Sequence, residues 1–431
     1  MIFRDRRRFR HPLLVLLVLA LLALGTWLAF RTHAQRRLEA AMTAVEERLG
    51  PTDPAAYELP PVPDEENAFV LLEPGLEAVG EADFETRELW KTLFQEPPRR
   101  WPPEEEVAAA LAKSAPALEA LHAVAGARRS SRGARFPEAF EDSPSLLPYL
   151  TAARLLAAHA RWSLVHGDPQ AALASARTLA ALAGALEREP PLIDKLIGAA
   201  TEKLLHRIAA TAIAERSPRE AIRELRELLL GLPPEVGFPR AVGLDATWVA
   251  GYALELDPDL YRWWKRPSRD LCLARVLDGY AELASSDRPY AAVLDEAEAE
   301  LKAHPPGVGL RNRLCPSAEM SIPNILEAGL KIHAAEAARS LAVMALELDL
   351  RARSLGAYPP TVVGLTGADR ADALGGEAPV WTLRADGSGE LVYPAARATT
   401  ERRGEYRAGT PPHLAWELPA PASGALATAG D

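Results

Sequence analysis

Three pairs of residues in this chain have the types and spacing to do chemistry. His333 and Glu336 stand three apart in a run of helical periodicity, so they share a face where an imidazole and a carboxylate can hold a metal together. A helical bundle completes such a site with carboxylates from other helices, and Glu327 and Glu347 lie nearby in sequence. The plainer reading is a surface His–Glu pair. His159 and His166, seven apart, also fall on one face, but His166 sits at a turn, where capping or solvent exposure accounts for it. Glu202 and His206 form an i,i+4 pair that supports a helix without implying catalysis. There is no Gly-x-Ser-x-Gly, phosphate loop, His-Glu-x-x-His or Cys-x-x-Cys, and the Gly-x-Gly of "PPGVGLRN" follows prolines, the wrong setting for a dinucleotide. No catalytic, cofactor-binding or metal-ligating residue is assigned.

The densest local cluster is "YRWWKRP", with Tyr261, Arg262, Trp263, Trp264, Lys265 and Arg266. Tryptophan and arginine dominate binding hot spots, so these six are read as a candidate interaction patch for a protein partner or the membrane interface. The alternative places one tryptophan in the core and the other over a helix junction.

The elements that must position these residues begin with "HPLLVLLVLALLALGTWLAF". Leu13–Phe30 carries no charge and would span about 27 Å as a helix, close to the hydrocarbon thickness of a bilayer. Five arginines precede it and three follow, which places the amino terminus inside and the rest of the chain across an inner (cytoplasmic) membrane. A cleaved signal peptide is the competing reading, with "THA" at Thr32–Ala34 as the cleavage site. The net charge of −10 hides an asymmetry: residues 1–37 hold eight Arg and one Asp (+7), and the remainder holds 41 basic against 58 acidic groups (−17). An acidic body is a poor partner for phosphate backbones, which argues against nucleic acid. Cys272 and Cys315 can be bridged in an oxidising compartment or remain buried thiols.

The expected fold is mainly α. Residues 1–12 read as a basic cytoplasmic tail, 13–30 as the transmembrane helix, and 31–50 as its outward continuation, a juxtamembrane stalk. Residues 51–104 read as a Pro-rich linker with short helices, and 105–316 as a helical-hairpin domain arranged as an irregular solenoid or bundle. "DPQAALASARTL" (Asp168–Leu179) aligns without gaps to "SPREAIRELREL" (Ser217–Leu228), 49 residues on, and Asp287–Leu301 is a weaker echo. Repeated helix pairs each leave an apolar face for a neighbour, so these are tetratricopeptide-like helical pairs. Within this domain the spacing predicts one helix over Glu105–Ala127, and "ARRSSRGAR" (Ala127–Arg135) is read as a solvated basic loop. Residues 317–400 read as a long helix plus a small β-hairpin unit, Val380–Leu383 with Leu391–Tyr393, and 401–431 as a disordered tail. Gly356, Tyr358 and Pro359 form the motif that ends the long helix: glycine suits the left-handed residue, and Pro359-Pro360 forbids continuation.

That join, "ALELDLRARSLGAYPPTVVGL", resembles the end of the long helix in type II secretion pseudopilins, where a Gly-x-Tyr-Pro turn leads to a small β-sheet. The resemblance covers about 50 residues. "RHPLLVLLVL" lacks the prepilin-peptidase site of that family, and "YPAARATTERR" replaces its calcium loop, so the likeness does not imply pilin processing or polymerisation. The whole layout is similar to uncharacterised single-pass bacterial envelope proteins with an "ENA" helix start (Glu66-Asn67-Ala68), "HGDPQAAL", "PPLIDKLIG" and the Gly-x-Tyr-Pro tail. It implies location and fold. The functional expectation is a membrane-anchored extracytoplasmic scaffold that binds a protein in the envelope, with two alternatives: an envelope hydrolase using scattered residues such as His333 and Glu336, or an accessory component of a secretion or pilus-like machine.

Overall fold

The first helix does not stop at the expected membrane edge. In the computed structural model α1 runs unbroken from Arg10 to Leu49. The structure describes residues 10–127, 129–132, 146–233, 238–255, 266–284, 288–303, 316–367, 371–372, 374–402 and 414–421. The first half of α1 is bare: Leu14 to Phe30 faces outward, and this helix is long and apolar enough to cross a membrane. The second half is packed. Ala34, Ala41, Val45 and Leu49 are buried, and their spacing of seven and four draws one stripe along the helix. That stripe lies on α10 (Phe238–Glu255) and α11 (Arg266–Ala284). The juxtamembrane helix of residues 31–49 therefore packs one side into the apolar core, through Ala41, Val45 and Leu49. Gly243 marks the closest approach: a Cβ there would stand 2.7 Å from the Tyr57 hydroxyl and 3.0 Å from the Leu49 carbonyl oxygen.

The expected Pro-rich linker holds short helices, and two of them pack into the core. Residues 51–104 contain α2 (Ala68–Gly80) and α3 (Phe84–Gln95), which bury Leu72, Trp90 and Leu93 completely. The single helix expected over Glu105–Ala127 is two, α4 (Glu104–Lys113) and α5 (Ala115–His122), because Pro116 has no N–H to carry the helix across Ser114. The C-terminal carbonyls of α3 are satisfied by two arginines. Arg161 donates to Leu93 O at 2.5 Å and to Glu96 O at 3.1 Å, and Arg207 donates to Phe94 O at 2.8 Å, placing positive charge at the negative end of the helix.

The 49-residue repeat folds as two helical hairpins, α6 (Leu147–Val165) with α7 (Pro169–Arg188), and α8 (Leu192–Ala214) with α9 (Arg219–Leu230). Their turns match bond for bond. In the first, Asp168 N donates to Ser163 O (2.8 Å) and Gly167 N to Leu164 O (3.2 Å); in the second, Ser217 N donates to Ala212 O (2.9 Å) and Arg216 N to Ile213 O (3.1 Å). Both are the paired carbonyl closures of a helix ended by a left-handed residue. Gly167 has φ +75° and Arg216 has φ +53°. The Asp168 carboxylate then caps α7 by accepting from Ala171 N at 3.0 Å. The weaker echo falls on α12 (Tyr290–Ala303); residues 285–287 ahead of it lie outside the described residues.

The long helix, α13, runs from Pro316 to Leu355 and packs on α8, α9 and α11 through Leu330, Ala338, Leu341, Ala345 and Leu348. It ends where the motif predicts: Gly356 takes φ +79° and donates to Ala352 O at 2.7 Å. Tyr358 is buried and donates to Pro419 O at 3.1 Å, and Trp381 Nε1 donates to Pro359 O at 3.0 Å. The β unit has three antiparallel strands in the order β1 (Val380–Leu383), β2 (Gly389–Val392), β3 (Ala415–Leu418). Val380 pairs with Val392, and Leu391 pairs with Trp416. The hairpin is a three-stranded sheet, and β3 comes from residues 401–431, expected to be disordered. The apolar residues of "LAWEL" give β3 a buried face that the surrounding Pro, Ala and Gly obscure in the sequence. A last helix, α14 (Pro394–Arg402), joins β2 to β3.

Candidate functional site

Among the described residues, those the sequence singled out do not converge. Tyr261, Arg262, Trp263, Trp264 and Lys265 lie outside the described residues, and Arg266 begins α11 as an exposed side chain. His333 is clasped between aromatic rings, with Phe238 at 5.3 Å and Tyr290 at 4.6 Å between centroids, and its Nδ1 is 3.9 Å from Glu336. Ring packing, rather than exposure at the surface, accounts for this histidine. His166 stacks on Trp162 at 3.7 Å. His159 points elsewhere: its Nδ1 lies 2.8 Å from the Ser175 hydroxyl, which His122 Nε2 reaches from the other side at 3.0 Å. Burial holds His122 below its ordinary pKa; burial, then the neighbouring His122, brings His159 down to about 4. Ser175 itself has no exposed surface, so this trio cannot act on an external substrate. No group of three His, Cys, Asp or Glu side chains is placed to hold a metal among the described residues.

A groove of about 650 Å³ lies between the start of α2, the start of α6 and the loop at Ser131-Arg132. Asn67 builds it. Its side-chain oxygen accepts from Phe69 N and Ser131 N, both at 3.2 Å, and its amide donates to Ser131 O at 2.7 Å. One side chain thus caps α2 and fixes the loop against it, which gives the "ENA" start a structural task. Ser130 and Ser131 are buried, so this part of the loop read as solvated is embedded, whereas Arg129 is exposed; residues 128 and 133–135 lie outside the described residues.

Arg132 forms part of the groove wall, with its guanidinium 5.0 Å from the Phe69 ring and 5.9 Å from the Tyr149 ring. It pairs with buried Asp194, and Glu189 accepts from its backbone N–H at 3.3 Å. Burial pushes Glu189 above the usual carboxylate range, against the pull of Arg132. Two carboxylates therefore face one guanidinium, and Arg132 has no positive charge to spare for an anion. The groove also carries the exposed acids Asp64, Glu73 and Glu77 beside Val62, Phe69 and Leu76. Its chemistry is acidic over apolar.

Behind the groove the buried charge continues. Lys195 donates to the Glu187 carbonyl. Arg339 on α13 grips Glu202 through two nitrogens, at 2.8 and 2.6 Å, and approaches Glu187 at 3.5 Å. His206 Nε2 stands 3.1 Å from Glu202. Burial and then the Glu202 charge raise Glu187 well above the ordinary carboxylate range. For Glu202 burial pushes upward, but the His206 hydrogen bond and the Arg339 charge outweigh it and hold the group ionised. The i,i+4 pair seen in the sequence is thus the centre of a junction between α7, α8 and α13. Reading it as helix support missed Arg339 and Glu187. A signal was present: Glu202 falls in phase with Gly198, Leu205 and Ala209, on the side of α8 that is buried.

Comparison with known protein families, with curated proteins and with solved structures finds no match to this chain.

Proposed function

We propose that this chain is a single-pass inner-membrane protein whose helical body lies outside the cytoplasm and serves as an interaction scaffold mounted at fixed height above the bilayer. One observation carries the reading: α1 passes without a break from a bare apolar half into a stripe buried by the body. Ala34, the first fully covered residue, comes only four positions after Phe30, about 6 Å along a helix. A flexible tether would let the body wander; a shared helix fixes its distance and orientation. The outside location is supported by the arginine excess ahead of the span and by the disulfide at Cys272, since bridges persist in oxidising compartments. The one other cysteine in the chain, Cys315, lies outside the described residues.

The groove is the surface such a scaffold offers. Exposed carboxylates beside an apolar lining suit a basic segment with apolar side chains on a protein partner. The helical hairpins supply rigidity in the manner of tetratricopeptide-like pairs, and the Gly356–Tyr358–Pro359 join ties the sheet to the end of α13.

Two experiments test the proposal. A reporter fused after Asp431 that is active only outside the cytoplasm is the expected topology; activity in the cytosol contradicts it. Crosslinking in intact cells from a photoreactive residue at Val70, an exposed lining position, is expected to trap a protein partner, and reversing the rim with Glu73→Lys and Glu77→Lys is expected to abolish the adduct. An adduct unchanged by the reversal removes the groove from the account.

A further inference from the structure

The two matching turns of the repeat differ at one residue, and that difference points to a second site. Gly167 meets the left-handed backbone of the first turn with the residue type suited to it. The second turn makes the same hydrogen bonds with Arg216 at φ +53°, the one positive-φ residue other than glycine among those described. Arginine is disfavoured in this conformation, and such exceptions gather where a side chain is needed.

Arg216 lines a half-open cavity of about 230 Å³ between the α8–α9 turn, the end of α13 and the segment after β3. Ile213, Pro419 and Tyr358 of the helix-end motif line it, the Tyr358 hydroxyl donating to Pro419 O. Two charged groups sit deeper. Asp349 is buried and forms an ion pair with Arg353 at 2.7 Å, and Arg353 also donates to the Ser217 carbonyl. These two cancel. Arg216 is exposed, and its side chain makes no hydrogen bond or ion pair to a described residue, so among the described residues the cavity carries one uncompensated positive charge.

We propose that this cavity binds a monocarboxylate on a short apolar body, with the Arg216 guanidinium at the mouth gripping the carboxylate and the walls of Ile213, Tyr358 and Pro419 taking the apolar part. A guanidinium fork matches a carboxylate in geometry, and one spare charge matches a monoanion. The volume admits a few carbon atoms beyond the acid group, and the apolar walls favour a hydrocarbon body over a sugar phosphate. The same chemistry is offered by a free short-chain acid and by the carboxy terminus of a peptide that ends in a small apolar residue. The inference is independent of the groove and of the membrane topology.

The test uses the full chain in detergent and two probes, butyrate and a hexapeptide ending in Ala-Ala with a free carboxylate, followed by isothermal titration. Saturable binding of at least one is expected, and whichever binds more tightly identifies the source. The decisive variant is Arg216→Gly, because the first turn already contains glycine at the matching position. It is expected to keep or raise the melting temperature while weakening binding about tenfold or more, the scale of a lost charge-assisted hydrogen bond. Amidating the peptide, or replacing butyrate with butanol, is expected to weaken binding by a similar factor. Absence of saturable binding with both probes overturns the proposal, as does equal affinity in Arg216→Gly or for the uncharged analogues.

Discussion

The joint between α1 and the α10–α11 pair is made of Ala34, Ala41, Val45 and Leu49, with the Arg37–Asp278 ion pair (2.8 Å) exposed at its edge. The joint between α7, α8 and α13 is made of Glu187, Glu202, His206 and Arg339, most of them closed to solvent. Each holds long helices together, by different physics. The apolar joint draws its stability from area removed from water, about 25 cal/mol per Å², and small residues let the helices come close. The charged joint draws little net stability from its ion pairs, because desolvation offsets attraction. It is sensitive to completeness: every member must be present in its proper protonation state. The apolar joint should therefore fail gradually and ignore pH, whereas the charged one should fail abruptly and respond to it.

The largest effect is expected from Arg339→Met, which leaves the Glu202 carboxylate buried without its main partner. The loss should be roughly 3–5 kcal/mol by denaturant titration, and adding Glu202→Leu should recover much of it. A double variant no better than the single one would show that the junction acts through shape instead of charge. On the apolar side, Leu49→Ala should cost about 2–3 kcal/mol by loss of transfer energy and creation of a cavity. Leu17→Ala, in the bare half of the same helix, should leave the melting temperature of the detergent-solubilised protein unchanged. Equal losses at the two positions would erase the distinction between the halves.

The third contrast is pH. The folded-state pKa of Glu187 is raised from 4.5 to about 9, so the native protein keeps a proton that the unfolded chain releases. The native state binds more protons across that interval, and stability must fall as pH rises from about 4.5 toward 9, with a limiting slope of roughly 1.4 kcal/mol per unit. Glu202 works in the opposite direction: its lowered pKa adds stability that is lost as pH falls below about 4.5. Glu187→Gln should flatten the alkaline slope, while Leu49→Ala should shift the whole curve without changing its shape. The smallest effect belongs to Arg37→Ala. An exposed pair is worth about 0–1 kcal/mol, and that difference should vanish at high salt.

Legibility followed the same division. The bare span, the Asp168 cap and the Gly356 stop were readable because each depends on neighbours in sequence: an uncharged run, a carboxylate three residues before its donor, a glycine before two prolines. The docking of residues 31–50 was not, since Ala34 and Ala41 are too small to announce a buried stripe. Arg132 was hidden because "ARRSSRGAR" looks like solvated loop; Asn67, more than 60 residues away, fixes that loop by bonding Ser131. The charged junction unites three helices that no local pattern connects. β3 owes its existence to pairing with β2 and to the end of α13, both distant in the chain. Of the sites described, the carboxylate cavity was half visible: its Tyr358 wall belongs to a motif that could be read, while the meaning of Arg216 emerged only beside Gly167.

The central claim is that the membrane helix and the body are one rigid piece. It is tested most directly by double electron–electron resonance on protein in lipid bilayers, with spin labels at Thr32, two residues past the bare apolar run, and at Glu282, on the exposed face of α11. A single narrow distance distribution, preserved when Gly50 and Pro51 are replaced by a flexible Gly-Ser pair, is the predicted result. A broad or multimodal distribution would mean that the helix bends between bilayer and body, and the rigid mount would have to be given up.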